Sequence, residues 1–87
     1  MGKRGSGVKT KYKKLIIELL KTRGYITPKM LMEHGISSSN TYRLINSLLR
    51  ANLIVKVSKG VYAKTVYFDK YILRGEEEKI YEIIRVK

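Results

Sequence analysis

The sequence predicts a mainly α-helical fold with one small β-hairpin: an α+β domain with a three-helix core, the hairpin and a short C-terminal helix. Apolar residues recur at helical spacing in two segments before residue 52, Thr27-Pro28 marks the start of a short helix between them, and two β-branched runs flank Lys59-Gly60. After Gly75, three carboxylates precede isoleucines at helical spacing. The chain of 87 residues is long enough for one such domain with a modest core.

The first helix is predicted from about Thr10 to Arg23. Its apolar residues follow i, i+3, i+4, i+7 and i+8 and form one stripe, which consists of Tyr12, Leu15, Ile16, Leu19 and Leu20. Gly24 follows as the expected helix stop, because glycine readily takes the backbone conformation that ends helices.

A short second helix is predicted from Pro28 to His34. Thr27 is a good N-cap, and Pro28 suits the first helical position, where its missing N–H would have no partner. Gly35 ends the helix. Ile36 is an apolar residue in a turn, so we expect it to pin the turn to the core.

The third helix is predicted to start after a serine cap at residues 37–39 and to run to about Ala51. Its buried stripe is predicted to consist of Thr41, Leu44, Ile45, Leu48 and Leu49. Asn52 suits the left-handed conformation that closes such a helix.

The hairpin is predicted from two strands, 54–58 and 61–68, on either side of Lys59-Gly60. In the second strand, alternation places Tyr62, Lys64, Val66 and Phe68 on one face. Residues 69–74 fit either a loop or a short turn of helix.

A last helix is predicted after Gly75, with carboxylates 76–78 at the positive end of its dipole and Ile80, Ile83 and Ile84 on one side. These isoleucines either pack on the chain's own core or, within Gly75–Lys87, offer a surface to a second copy or a partner protein.

The strongest compositional signal is the net charge of +12, from 19 basic and 7 acidic residues. Residues 1–74 carry 16 basic and 3 acidic residues, whereas residues 75–87 are nearly neutral. This excess is larger than solubility requires, so a nucleic-acid partner is favoured over a merely solubilising surface. A membrane surface is disfavoured, because no basic amphipathic helix has an aromatic face.

Several function classes lack the residues they need. The chain has one His and no Cys, so it offers no disulfide, no thiolate metal site and no nucleophile–base pair, and no glycine-rich loop joins a strand to a helix. No catalytic residue, metal or cofactor is therefore expected. No apolar run approaches 18 residues, and no secretory signal is visible, so a cytoplasmic, nucleoid-associated protein is expected. The absence of Gln and Cys favours a thermophilic archaeal source.

The order helix, short helix, tight turn, helix and hairpin resembles the winged helix-turn-helix family, as do two local patterns. One is Gly35-Ile36 followed by the serine-capped third helix, and the other is Leu48-Leu49-Arg50-Ala51-Asn52-Leu53-Ile54 before a basic hairpin. Asn52 stands where the family commonly has Gly, a departure that the same left-handed backbone explains. The resemblance covers roughly residues 10–68 and implies binding of double-stranded DNA, most simply as a transcription regulator.

The candidate DNA-binding residues lie on three elements. The polar, acid-free face of the third helix would read bases in the major groove, because side chains such as Arg and Asn pair bidentately with guanine and adenine. This face comprises Ser38, Ser39, Asn40, Tyr42, Arg43 and Asn46. The wing candidates are Lys56, Ser58, Lys59 and Lys64, and those of a basic N-terminal arm are Lys3, Arg4, Lys9 and Lys11, which would neutralise phosphates.

The predicted organisation is an arm at 1–9, the winged helix at 10–68 and a C-terminal extension at 69–87. Two other functions remain open at this stage. One is an accessory subunit of a replication, repair or transcription complex, in which the domain docks on another protein. The other is a chromatin protein that binds DNA through charge alone. A polar recognition face favours direct reading of DNA over docking on a protein.

Overall fold

The computed structural model describes residues 10–84, so the arm candidates Lys3, Arg4 and Lys9 lie outside the described residues. The chain forms five helices and three short strands in this range. Their order is α1 (Thr10–Thr22), β1 (Tyr25–Ile26), α2 (Pro28–Glu33), α3 (Ser38–Arg50), β2 (Ile54–Ser58), β3 (Val61–Lys64), α4 (Val66–Leu73) and α5 (Glu77–Ile83). The mainly α fold with a small antiparallel sheet confirms the predicted class.

The three predicted core helices are present, and their caps are those that the sequence indicates. The Thr27 hydroxyl accepts a hydrogen bond from the Met30 amide at 3.1 Å, and the Ser37 hydroxyl accepts one from the Asn40 amide at 3.3 Å. Asn52 follows α3 with a φ of 62°, as predicted. Local hydrogen bonding thus fixes where α2 and α3 begin and where α3 ends.

The turn between α2 and α3 is held from inside the protein. Ile36 is 2% exposed, and its amide donates to the Leu31 carbonyl at 3.2 Å. Gly35 has a φ of 92°, a conformation that a side chain would strain. The prediction that Ile36 pins this turn to the core is confirmed, and the turn fixes the direction in which α3 leaves α2.

The sheet has a third strand that the sequence pattern did not predict. β1 pairs with β3, with Tyr25 opposite Ala63 and Ile26 opposite Tyr62, so the strand order is β1-β3-β2. A two-residue strand has no periodicity to detect. It forms here because β3 offers it hydrogen-bonding partners, and it joins the hairpin to the helical core.

The prediction that the second hairpin strand runs to residue 68 was wrong. β3 ends at Lys64, and Val66–Leu73 forms α4. Thr65 ends the strand: its amide donates to the Leu53 carbonyl, and its hydroxyl donates to the Asn52 carbonyl. The helix buries Phe68 completely and leaves Val66 64% exposed, whereas a strand would have put both on one face.

The last helix packs on the same core as the others. Ile80 and Ile84 are fully buried and join the cluster that includes Ile16, Leu20 and Leu48. The predicted helix after Gly75 is therefore present, and its isoleucines pack on the chain's own core. The sequence left open whether these isoleucines pack on the core or offer a surface to a partner, and Ile80 and Ile84 pack on the core.

Candidate nucleic-acid interface

The outer face of α3 is a straight polar stripe. Ser39, Arg43, Asn46 and Arg50 follow at i, i+4, i+7 and i+11 and are all exposed. The buried residues of the helix, Thr41, Leu44, Ile45 and Leu48, lie on the opposite side. The first three stripe residues were predicted from the sequence. Every side chain of the stripe can donate hydrogen bonds, which is what base edges and phosphates require.

Arg50 was missed by the sequence analysis. It lies in the last turn of α3, where a cation is readily explained by the helix dipole. Its spacing of seven from Arg43 was the available signal, because two full turns return a side chain to the same face. The stripe therefore carries two guanidinium groups, each able to make bidentate contacts.

The other predicted recognition residues flank this stripe. Ser38 is exposed in the first turn of α3, and Asn40 is half-buried. Tyr42 is 49% exposed and lies toward α2 and the hairpin turn rather than on the stripe.

An open groove of about 540 Å³ separates α3 from the hairpin turn. Tyr42 forms one wall and Gly60 another, and the start of α2 closes the end with Pro28 and Lys29. The register explains this closeness, because Ile26 pairs with Tyr62, which places the residues after β1 beside the turn. A basic residue that the sequence analysis did not select, Lys29, thus lines the space between the helix and the hairpin.

The predicted wing residues divide into two groups. Lys56, Ser58 and Lys59 are exposed at or near the turn. Lys64 lies at the base of the hairpin instead, half-buried, with its ammonium 2.6 Å from the Asp69 carboxylate. Three wing residues are therefore accessible to a polyanion, while the charge of Lys64 is already offset by Asp69.

Of the residues predicted for the basic arm, Lys11 is the one among the described residues, and it lies in α1. Lys11 is exposed in the first turn of α1, and its ammonium lies 5.6 Å from the centre of the Tyr12 ring. The distance permits a weak cation–π contact, which leaves the lysine accessible to an anion.

The helix α3 and the hairpin contain no acidic residue, although Glu33, at the end of α2, lines the groove between them. No acidic residue occurs between Glu33 and Asp69, a range that includes all of α3 and the hairpin. Three ion pairs involve carboxylates of α4, α5 and the residue before α5: Lys21–Glu77, Lys64–Asp69 and Lys79–Glu76. The cations of α3 and the hairpin are exposed, and a polyanion can reach them: Arg43, Arg50, Lys56 and Lys59.

Residues 10–84 contain no group of three or more His, Asp or Glu side chains placed to hold a metal ion. His34, the single histidine, is exposed at the end of α2. In the same range, no helix combines the length and apolar character needed to cross a membrane.

Comparison with known families gives one match. Residues 14–63 match the family described as "Transcriptional regulator, AbiEi antitoxin". The match begins in α1 and ends in β3, so it includes the helix-turn-helix and the hairpin. No curated protein and no solved structure matches the chain.

Proposed function

We propose that this chain, which belongs to the AbiEi antitoxin family of transcriptional regulators, reads duplex DNA by inserting α3 into the major groove. The family is a regulator family of the winged-helix type, so DNA binding in general follows from membership. We propose in addition that particular side chains of α3 contact the bases and select a DNA sequence.

The observation that carries the proposal is the stripe of Ser39, Arg43, Asn46 and Arg50. An α-helix fits the major groove, where each base pair presents a distinct pattern of donors and acceptors. The stripe is polar, exposed and free of acids, and a complete apolar face anchors it from behind. An ordinary solvent face would carry Glu–Lys pairs four residues apart. We assign base reading to Arg43 and Asn46, with Ser38, Ser39 and Asn40 near the helix start.

The hairpin and the arm would bind phosphates on either side of that contact. Lys56, Ser58 and Lys59 suit the backbone or the minor groove. Lys29 and the Tyr42 hydroxyl, which line the groove between α3 and the hairpin turn together with Glu33, would donate to phosphates of one strand. Lys11 and the arm residues Lys3, Arg4 and Lys9 would extend the basic track.

We also propose that two copies of the chain bind a DNA site that has two-fold symmetry. Ile80 and Ile84 are committed to the core, so pairing through Gly75–Lys87 would have to use other residues. The mass of the DNA complex distinguishes one bound copy from two.

The experiment is selection of bound sequences from random duplex DNA at physiological salt, followed by binding of Arg43→Ala to the selected site and to scrambled DNA. We expect enrichment of a motif, and a loss of about 1–3 kcal/mol on that site with relaxed base choice. An equal loss on both DNAs would exclude base reading by Arg43. No enrichment at all would favour the accessory-subunit or chromatin functions.

A further inference from the structure

A second cavity lies away from the α3 stripe. It has a volume of about 310 Å³ and lies between the end of α3 and one face of α4. Ala51 and Asn52 form one wall, and Tyr67, Lys70, Tyr71 and Arg74 form the other. Tyr67, Lys70 and Tyr71 of α4 and its C-cap residue, Arg74, follow i, i+3, i+4 and i+7, so they lie on one side of that helix. This set belongs to neither the stripe nor the hairpin.

The cavity carries two cations without a counterion. Lys70 and Arg74 are four residues apart on a helix, a spacing at which like charges repel each other. The carboxylates nearest to them in the sequence are engaged by other lysines: Asp69 by Lys64 at 2.6 Å and Glu76 by Lys79 at 3.5 Å. No ion pair within residues 10–84 involves Lys70 or Arg74. An anion held between them would remove the repulsion and bind both.

The cavity also offers aromatic faces. Tyr67 is 53% exposed and Tyr71 half-buried, and the Lys70 ammonium lies 5.8 Å from the centre of the Tyr67 ring. Tyrosine rings stack on planar heterocycles, and their hydroxyls donate hydrogen bonds. An inorganic anion alone would leave these faces unused.

We propose that this cleft binds a nucleotide, with its phosphate on Lys70 and Arg74 and its base against Tyr67 and Tyr71. The volume is at the lower end of the range for ligand sites, which suits one mononucleotide rather than a dinucleotide. The phosphate and base belong either to a free nucleotide or to an unpaired nucleotide of a DNA strand. This function is separate from the reading of duplex DNA by α3.

The test is a titration of the full chain, without duplex DNA, by adenosine 5′-monophosphate, followed by amide chemical shifts. We expect saturable shifts at Ala51, Asn52 and along α4, and tighter binding than with adenosine or inorganic phosphate alone. The double variant Lys70→Gln/Arg74→Gln should weaken binding about tenfold or more, since each lost charged contact approaches that factor.

The matched control is Lys14→Gln/Arg23→Gln, which removes the same charge from exposed positions in and just after α1. It should bind the nucleotide within about twofold of the parent chain. Equal weakening in both double variants, or no saturable shift at millimolar nucleotide, would overturn the proposal. Binding of phosphate as tight as that of the nucleotide would overturn the role of the tyrosines.

A short oligothymidylate distinguishes the two sources. If it saturates the same amides and the mononucleotide does so only at higher concentration, the site takes an unpaired strand. If the mononucleotide binds at least as tightly per site, the site takes a free nucleotide. Either result depends on Lys70 and Arg74, and neither bears on base reading by Arg43.

Discussion

The Lys21 ammonium lies 2.9 Å from the Glu77 carboxylate and joins the first helix to the last across 56 residues of sequence. A second contact supports it, because the Lys13 ammonium donates to the Tyr81 carbonyl at 3.2 Å. These polar contacts lie beside the buried Ile80 and Ile84. They hold α5 to α1, and the same buried cluster contains Leu44 and Leu48 of α3.

This contact predicts a loss of stability at alkaline pH. The hydrogen bond and charge of Glu77 raise the pKa of Lys21 above its ordinary 10.5, and burial, then Glu77, raises the pKa of Tyr81 above 10.0. The folded state therefore holds both protons more tightly than the unfolded state. Their contribution is complete below pH 10 and is lost as pH rises through the raised pKa values. We expect a melting temperature that falls above pH 10.

The variant Glu77→Gln tests the assignment by thermal melts at several pH values. It removes the carboxylate behind the two largest causes that raise the pKa of Lys21 and leaves the smaller effects of Glu18 and Tyr81, so its melting temperature should fall less steeply above pH 10 than that of the parent. Glu78→Gln changes the same charge at an exposed neighbour and should keep the parent slope. A Glu77→Gln slope as steep as the parent's would contradict the prediction.

Ile80→Ala should destabilise the whole domain. The side chain is fully buried, and its truncation leaves a cavity in addition to the lost burial, at a cost of about 2–5 kcal/mol. Urea unfolding measures the free energy. Leu73→Ala, at a side chain that is 86% exposed, is the control and should stay within about 0.5 kcal/mol. A similarly small change for Ile80→Ala would mean that α5 is not part of the cooperative core.

Thr41→Val should leave stability unchanged or raise it by up to about 1 kcal/mol. Thr41 is fully buried in α3, and its hydroxyl has no hydrogen-bond partner within residues 10–84. Valine has the same shape without the hydroxyl to desolvate. Thr22→Val is the comparison at an exposed position, where the hydroxyl donates to the Glu18 carbonyl at 2.8 Å, and both variants are measured by urea unfolding. A clear destabilisation specific to Thr41→Val would show that the hydroxyl is satisfied in solution.

Deletion of residues 1–8 should lower the salt dependence of DNA binding without changing the selected motif. The deletion removes Lys3 and Arg4, and each lost phosphate contact reduces the slope of log affinity against log salt by about 0.9. Titrations at several salt concentrations on the selected and scrambled sites measure both effects. A changed motif would assign base reading to the arm.

Much of the helical core was predictable because its signals are local. Thr27 and Ser37 cap amides three residues away, and Asn52 takes the left-handed backbone that a short polar side chain tolerates. The spacing of apolar residues predicted α1, α3 and the last helix, because a helix buries the same face on every turn. The polar face of α3 follows from that stripe, and Arg50 was available from the same period.

Tertiary structure decided what local signals could not. Residues 66–68 have strand-like side chains, yet they form a helix because Thr65 turns the chain and the core takes Phe68. β1 forms because β3 offers it hydrogen-bonding partners. Asp69 of α4 pairs with Lys64 at the base of the hairpin because α4 follows β3 directly. The cleft between Asn52 and Arg74 likewise depends on the turn at Thr65. The sequence by itself determined α1, α2, α3, α5 and the polar face of α3, whose causes lie within one or two turns. The folded chain decided the strand ends, the paired charges and the cleft, because their partners are distant in sequence.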